Sequence, residues 1–468
     1  MENQLSRPFS FEKKGIPLQI LSTSETMKDL KISTFHSGCL KTQGFEIKPG
    51  KVGLLPNSKT GSLERVLYVK SKEVWDFGKL STLLPEGIYH FEDHSKKSDP
   101  WNLELASLAW GLSFYRFDRF VQKTYPKSRL IHGLSAPKRK YLEQALEAIF
   151  LVRDLVNTPA ESLGPEEIQA VMAKIATDFQ SQGALLKGVI GEELLTQNFP
   201  AIHAVGRAAS RAPRLLHLSW GNPKHPVICL VGKGVCFDTG GLNIKEDTGM
   251  ALMKKDMGGA AHVIALGQWI MKSNWPVCLH VIVPAVENSI SSQSYRPGDV
   301  FKTRKGLNIE IVNTDAEGRV ILSDALAYAE ELKPKLLIDF ATLTGAARVA
   351  LGPELPAIYA SETADVQSLL EMGRRYQDPM WQLPLHQPYR EYFKSDIADM
   401  TNFGSTGHAG SITAALFLES FVQPKTAWIH VDVMAWNSSA KPTCPKGGEA
   451  QGLRAMYEWI KNELDLWR

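Results

Sequence analysis

The chain has little of several things that would commit it to a specialised class. Its 468 residues include five cysteines: Cys39, Cys229, Cys236, Cys278 and Cys444. Their number is odd and none forms a C-x-x-C pair, so a disulfide framework is not expected and a reducing compartment is favoured. Long apolar runs are missing; "VIVPAV" at 281–286 falls far short of the ~20 residues that span a bilayer. The stretch MENQLSRPFSFEKKG has no apolar core of a signal peptide, so a cytoplasmic location is expected. Excess charge of one sign is missing too. With 53 basic and 50 acidic residues the net charge is +3, too weak to argue for nucleic acid, whose binders carry a clustered basic face. The locally basic stretch from Lys123 to Lys140 reads first as solvated surface. Neither G-x-S-x-G nor H-E-x-x-H occurs. The 12 histidines are scattered, and His262 and His430 read as packed histidines rather than ligands.

What is present describes a folded two-domain protein. Hydrophobic residues make up 44% and charged residues 22%, ordinary for a globular chain but too many residues for one core. Residues 1–136 carry short strand-like pieces and one helical stretch, "LELASLAWGLSFYRF", and read as a smaller N-terminal α/β domain without a chemical motif. Leu142, Ala145, Leu146, Ile149, Phe150 and Arg153 follow helical spacing. They predict a linking helix over 137–159, stopped by Asn157-Thr158-Pro159. From 160 to 468 apolar strands ("RLLHLSW", "PVICLVG", "VCLHVIVPAV", "KLLIDFATLT", "AWIHVDVMAW") alternate with helices expected at 165–180, 257–272, 323–332, 410–422 and 449–465. That alternation predicts a larger C-terminal α/β domain with a mixed, mostly parallel sheet flanked by helices. Its site is expected beyond the carboxyl ends of the strands.

Three stretches could carry chemistry. In "LNIEIVNTDAEGR", 307–319, Leu307, Ile309 and Ile311 share one face of an extended chain. If the alternation continues, Asn313, Asp315, Glu317 and Arg319 aim charge at the interior, which is costly unless the charge is paired or metal-bound. A turn after Val312 would instead leave the acids in water. "VGKGVCFDTGGLNIK", 231–245, follows a strand but is not a Walker A loop, and alone it reads as a glycine-rich connection with Asp238 as a turn residue. In "MKKDMGGAAHVIALGQWI", 253–270, Asp256 alone reads as a helix N-cap. Together, Asp238, Asp256, Asp315 and Glu317 are four carboxylates that could balance two divalent cations. Such a donor set suits Mg²⁺, Mn²⁺ or Zn²⁺. A two-metal clamp activates water for hydrolysis without a nucleophilic side chain. Lys245 and Arg319 remain to stabilise an oxyanion or hold an anionic helper.

These stretches resemble the leucine aminopeptidase family of dinuclear metallo-exopeptidases. "NTDAEGR" at 313–319 is similar to that family's signature. "VGKG-x-x-FD-x-GG-x-x-IK" at 231–245, "DMGGAA" at 256–261 and "ATLTGA" at 341–346 match as well. The resemblance covers roughly 150–468. It implies that Lys233, Asp238, Asp256, Asp315 and Glu317 hold two metal ions, Mn²⁺ or Zn²⁺ with Mg²⁺ or Co²⁺ as other candidates. It implies that Lys245 polarises the scissile carbonyl and that Arg319 holds a bicarbonate acting as general base. Met253, Thr342 and Gly345 would line the pocket for the first side chain, and the backbone near Leu343 would contact peptide and bicarbonate. The implied substrates are peptides with a free N-terminus and an apolar, leucine-like first residue; the implied assembly is a homo-hexamer. Two stretches depart from the commoner pattern: "EDTGM" at 246–250 is more acidic, and "VDVMAWN" at 431–437 replaces a glycine- and alanine-containing run. Both lie near the expected substrate path.

Other readings use the same residues. A two-metal phosphodiesterase or nuclease would need a basic funnel and an aromatic stacking platform near the acids, and the sequence offers neither. An added DNA-binding regulatory role would rest on 123–140. Cysteinylglycine cleavage is an alternative specificity for the same centre.

Overall fold

The computed structural model describes residues 8–10, 12, 14–93 and 102–467. The polar amino-terminal stretch 1–15 therefore lies partly outside the described residues. The chain divides into two compact units: 1–150 with 438–446, and 151–437 with 447–468. No helix among the described residues is long and apolar enough to cross a membrane.

The first unit is built on strands β1 (Ile16–Leu21), β2 (Val52–Pro56), β3 (Leu63–Val69), β4 (Gly87–Asp93) and β5 (Ser128–Ile131), ordered β2-β3-β1-β4-β5. All pairings are parallel except β2 with β3. Helices α1 (Thr34–Thr42) and α2 (Leu103–Leu112) open on Ser33 and Asn102, whose side chains accept from the backbone of His36 and Leu105. These are ordinary N-caps, satisfying amides the helix itself cannot. Helix α3 (Ala136–Asn157) follows, ending where Thr158-Pro159 forbids another turn. The division between units falls within this helix, at Phe150.

The second unit holds β6 (Leu185–Ile190), β7 (Arg214–Gly221), β8 (Val227–Gly232), β9 (Gly234–Asp238), β10 (Cys278–Asn288), β11 (Val300–Lys302), β12 (Asn308–Glu310), β13 (Leu336–Ala341), β14 (Ala357–Ala360), β15 (Trp381–Gln382), β16 (Met400–Thr401) and β17 (Ala427–Asp432). Its large sheet runs β15-β14-β17-β13-β8-β10-β7-β6, with β9 on β10. The central strands β17, β13, β8 and β10 are parallel, and β14, β7 and β6 add antiparallel edges. β13 is buried at every position, as a parallel strand covered on both faces must be. Helices α4 (Pro165–Asp178), α5 (Pro200–Gly206), α6 (Gly258–Ser273), α7 (Glu317–Glu331), α8 (Gly345–Leu351), α9 (Gly410–Glu419) and α10 (Leu453–Leu466) belong to this unit. The small residues opening α6 let it lie against β13: a Cβ on Gly259 would sit 2.0 Å from the Phe340 carbonyl oxygen.

Two expectations shift here. The helix expected at 323–332 begins at Glu317, six residues earlier. The strand β12 ends at Glu310, so the strand-like alternation does not run on to Arg319. A turn intervenes, as the alternative reading had it, yet Glu317 and Arg319 are buried rather than solvated. The charged residues obscured the helix start because their burial serves the site, not the amphipathic pattern.

The core also contains charge. His430 on β17 lies 2.6 Å through Nδ1 from Asp339 on β13, and the Trp428 Nε1–H donates to the other Asp339 oxygen at 2.8 Å. Burial opposes the imidazolium, but Asp339 outweighs it and the His430 pKa is raised above 6.5. A raised native pKa contributes stability that is complete below the unfolded value and lost as pH rises through the native one. Denaturant midpoints of the metal-loaded protein should therefore fall as pH rises above about 6.5, and the His430→Gln protein should show a flatter profile. An unchanged profile in the variant would remove His430 from this account.

Candidate metal centre

Each acid reaches the same edge of the sheet by a different route. Asp238 is the last residue of β9, Asp256 sits in the turn before α6, Asp315 lies in the loop after β12, and Glu317 is the first residue of α7. Asp238, Asp315 and Glu317 each bring a carboxylate oxygen within 4.8 Å of the others. Asp256 is not an N-cap: Met257 holds that position with no side-chain cap. Its carboxylate instead pairs with the Lys233 ammonium and accepts from the Thr342 hydroxyl at 2.9 Å.

Lys233 follows β8 and is 2% exposed. Its Nζ also lies 3.0 Å from Glu317 and donates to the Thr342 carbonyl at 3.1 Å. Lys245 lies 2.8 Å from Asp238 and pairs with Asp315. Two lysines thus pair directly with four crowded carboxylates. Burial first, and then the neighbouring Asp238, push Glu317 up to about 8 and Asp315 up to about 6. Burial acts to lower the Lys233 pKa, but Asp256, Glu317 and Asp238 override it and the net direction is upward. Carboxylates forced together at this cost, with an amine beside them, fit hard or borderline divalent cations.

The loops that carry these acids are fastened by uncharged groups that sequence reasoning did not nominate. Asn288 donates to Asp238 at 2.8 Å and to the Thr314 carbonyl at 3.1 Å. The Tyr295 hydroxyl donates to that same carbonyl at 2.6 Å. The Thr314 hydroxyl donates to the Gly240 carbonyl at 2.6 Å and accepts from the Asn243 amide at 2.8 Å. Asn402 spans Val312 and Asn313, accepting from both amides and donating to the Asn313 carbonyl. Single asparagines and threonines carry no motif, so only the fold reveals them.

The remaining expected residues surround this cluster. Arg319 lies in the first turn of α7, 4% exposed, with its guanidinium 5.5 Å from the Phe403 ring. Its Nε has no partner among the described residues, and burial lowers its pKa to about 10. An unsatisfied buried guanidinium donor is a place for an anion. Thr342 and Leu343 occupy the turn between β13 and α8, and Gly345 is the first residue of α8. Asp432, at the end of β17, fixes that turn by accepting from the Leu343 amide at 3.1 Å and the Thr344 hydroxyl at 2.6 Å. Met253 opens the short turn that ends at Asp256. All eleven expected residues thus belong to the second unit.

Two family models match the chain: the catalytic domain of the cytosol aminopeptidase family over residues 150–457, and an M17 aminopeptidase N-terminal domain over 16–132. The chain belongs to the cytosol aminopeptidase family. The match at 16–132 gives the first unit an identity that its sequence, lacking a chemical motif, did not. The "Probable cytosol aminopeptidase 1" of Shewanella oneidensis is 37% identical over 457 residues, covering 96% of this chain and 86% of that protein. The "Peptidase B" of Serratia proteamaculans is also 37% identical, covering 76% and 84%. The crystal structure of cytosol aminopeptidase from Coxiella burnetii has a TM-score of 0.91 at 45% identity, covering 97% of this chain and 99% of that one. The bottromycin maturation enzyme BotP in complex with Mn has a TM-score of 0.81 at 27% identity, covering 96% and 99%. The protein is thus a metal-dependent aminopeptidase of this family, with an N-terminal domain and a C-terminal α/β catalytic domain.

Gly318 shows how tightly the centre is built. A Cβ there would lie 2.2 Å from the Lys233 Cε, so alanine must displace the lysine. Gly318→Ala should weaken metal binding by about tenfold or more, since overpacking typically costs ~1–3 kcal/mol. Isothermal titration with Mn²⁺ checks this; wild-type affinity would show that Lys233 can move freely.

Proposed function

We propose that this aminopeptidase removes N-terminal residues from peptides by a two-metal mechanism, with Lys233, Asp238, Asp256, Asp315 and Glu317 as the ligands. The observation that carries the reading is the convergence of Asp238, Asp315 and Glu317 around the Lys233 and Lys245 ammonium groups. Two bound dications, Mn²⁺ or Zn²⁺ first among the candidates, would supply Lewis-acid activation of water. To act as a ligand Lys233 must give up its proton, which a neighbouring dication favours. Lys245 is 16% exposed through its side chain, buried enough to act in low dielectric and open enough to meet a substrate carbonyl. Its role is to donate to that oxygen as negative charge develops. Arg319, with its free Nε, would hold a bicarbonate as proton acceptor. The turn at Leu343, held by Asp432, would align the peptide backbone.

Met253, Thr342 and Gly345 line the proposed pocket for the first side chain, and the family resemblance gives that pocket a preference for apolar, leucine-like residues. The reading assigns residues 160–468 to catalysis, 1–136 to a separate domain and 137–159 to the helix joining them. It also includes a homo-hexamer, which the family resemblance implies, and a cytoplasmic location, in keeping with the word cytosol in the relatives' names.

The purified chain with Mn²⁺ or Zn²⁺ should release the leaving group from a leucyl anilide and leave an N-acetylated substrate intact. Absence of cleavage on every unblocked aminoacyl anilide, with Mn²⁺, Zn²⁺, Co²⁺ and Mg²⁺ in turn, would refute the reading. Lys245→Ala should keep its metal and lose about 10²-fold or more in kcat, the loss typical of an oxyanion donor. Wild-type kcat there would reassign Lys245.

A further inference from the structure

The short run "CLH" at 278–280 has no task in the mechanism above. Cys278 and His280 lie at the start of β10, and residues two apart on a strand project from the same face. The Cys278 Sγ lies 3.5 Å from the His280 Nε2. A sulfur and a nitrogen on one tetrahedral zinc, at ~2.3 and ~2.0–2.1 Å from the ion, stand about 3.6 Å apart. The pair is therefore already spaced as two ligands of one ion.

The other nitrogen of His280 is held as a ligating imidazole requires. Its Nδ1 meets the Nε2 of His217, on the neighbouring β7, at 2.8 Å. The His217 Nδ1 in turn meets the Tyr328 hydroxyl, on α7, at 3.0 Å. With the His280 Nε2 lone pair turned to an ion, its Nδ1–H donates to His217, and the His217 Nδ1–H donates to the Tyr328 oxygen. One ion thus fixes the tautomer of both rings. Outer bonds of this kind orient a metal-bound histidine and raise its basicity. Burial keeps both rings in the neutral form that a ligand needs. It lowers the His217 pKa to about 4, with His280 and Lys187 adding to the effect, and it lowers that of His280 as well. His280 is only partly buried, so water can complete the coordination shell.

We propose that Cys278 and His280 bind a further metal ion, of the thiophilic class that zinc represents, with His217 and Tyr328 orienting the histidine. Thiolate and imidazole together select such ions, whereas carboxylate donors suit harder ones. Burial pushes the Cys278 thiol up, so the arriving ion draws off its proton and releases it to solvent. The site stands apart from the carboxylate cluster. Cys278 is the first residue of β10, and Asn288, which donates to Asp238, is the last. At ~3.3 Å per residue the two ends of the strand are roughly 30 Å apart. The ion's task there is to stabilise the folded unit, not to act on the peptide.

Cobalt(II) is the probe, because none of the ligands proposed for the dinuclear centre is a sulfur. The full chain titrated with Co²⁺ should develop a thiolate-to-cobalt charge-transfer band that saturates at one such ion per chain, and added Zn²⁺ should bleach it. Cys278→Ser should abolish the band, and His280→Ala should shift its midpoint to higher Co²⁺ by tenfold or more. His217→Ala should weaken binding by about 10- to 100-fold, the usual cost of losing an outer bond to a metal-bound histidine. Cys39→Ser, at a less buried cysteine, should change nothing. Circular dichroism shows that each variant is folded. One measurement needs no variant: Zn²⁺ should protect Cys278 from alkylation by iodoacetamide, followed by mass spectrometry. Absence of a thiolate band, a band that survives Cys278→Ser, or alkylation of Cys278 undiminished by Zn²⁺ overturns the proposal. So does a band lost in Cys278→Ser yet unmoved by both histidine variants, since it then belongs to the thiol alone. None of these readouts needs peptide cleavage, so the proposal and the aminopeptidase mechanism stand or fall separately.

Discussion

The catalytic unit is organised around a cluster of carboxylates crowded together out of water. Four carboxylates reach one edge of the large sheet, where Lys233 and Lys245 pair with them directly and buried Lys255 and Arg319 lie close by. Burial and mutual repulsion push Glu317 up to about 8. No apolar packing could hold such a cluster together alone, because each acid desolvated beside another raises the free energy of the fold. A crowd of carboxylates of this kind is what divalent cations relieve, in keeping with the metal-dependence of the family. The fold meets the remaining cost by spreading the acids over four separate elements, each anchored by its own strand or helix.

Placement depends on neutral groups as much as on charged ones. Thr314, Asn243, Asn288 and Tyr295 fasten the loop after β9 to the loop before α7. Asp432 fixes the turn that carries Leu343 and Thr344. Such supporting bonds orient ligands that the metal alone would not position. Arg319 contrasts with these groups: its buried Nε has no partner among the described residues, which suits the bicarbonate proposed for it.

Much of this was legible in the sequence, for identifiable reasons. The apolar runs "PVICLVG" and "KLLIDFATLT" contain the central strands β8 and β13 because strands buried on both faces are apolar throughout. Asp238 alone reads as a turn residue and Asp256 as an N-cap; only taken together do Asp238, Asp256, Asp315 and Glu317 read as four carboxylates able to balance two dications. Lys233 was different: a lysine is not an obvious metal ligand, and only the family resemblance nominated it. The start of α7 was misplaced since Glu317 and Arg319 break the amphipathic pattern that marks a helix. Asn288, Asn402 and Asp432 were invisible because their value lies in partners far along the chain; Asn288 serves Asp238 fifty residues away. The first unit showed strands but no identity, for its sequence contains packing without chemistry.

The charge balance can be measured without any substrate. Binding of Mn²⁺ is followed calorimetrically near neutral pH in buffers of different ionisation enthalpy, which gives ion stoichiometry and protons released together. The account predicts two ions per chain and net proton release, because Lys233 must lose its proton to coordinate and Glu317 is drawn from partial protonation to full charge. Binding of no ion, or binding with no protons released, would contradict it.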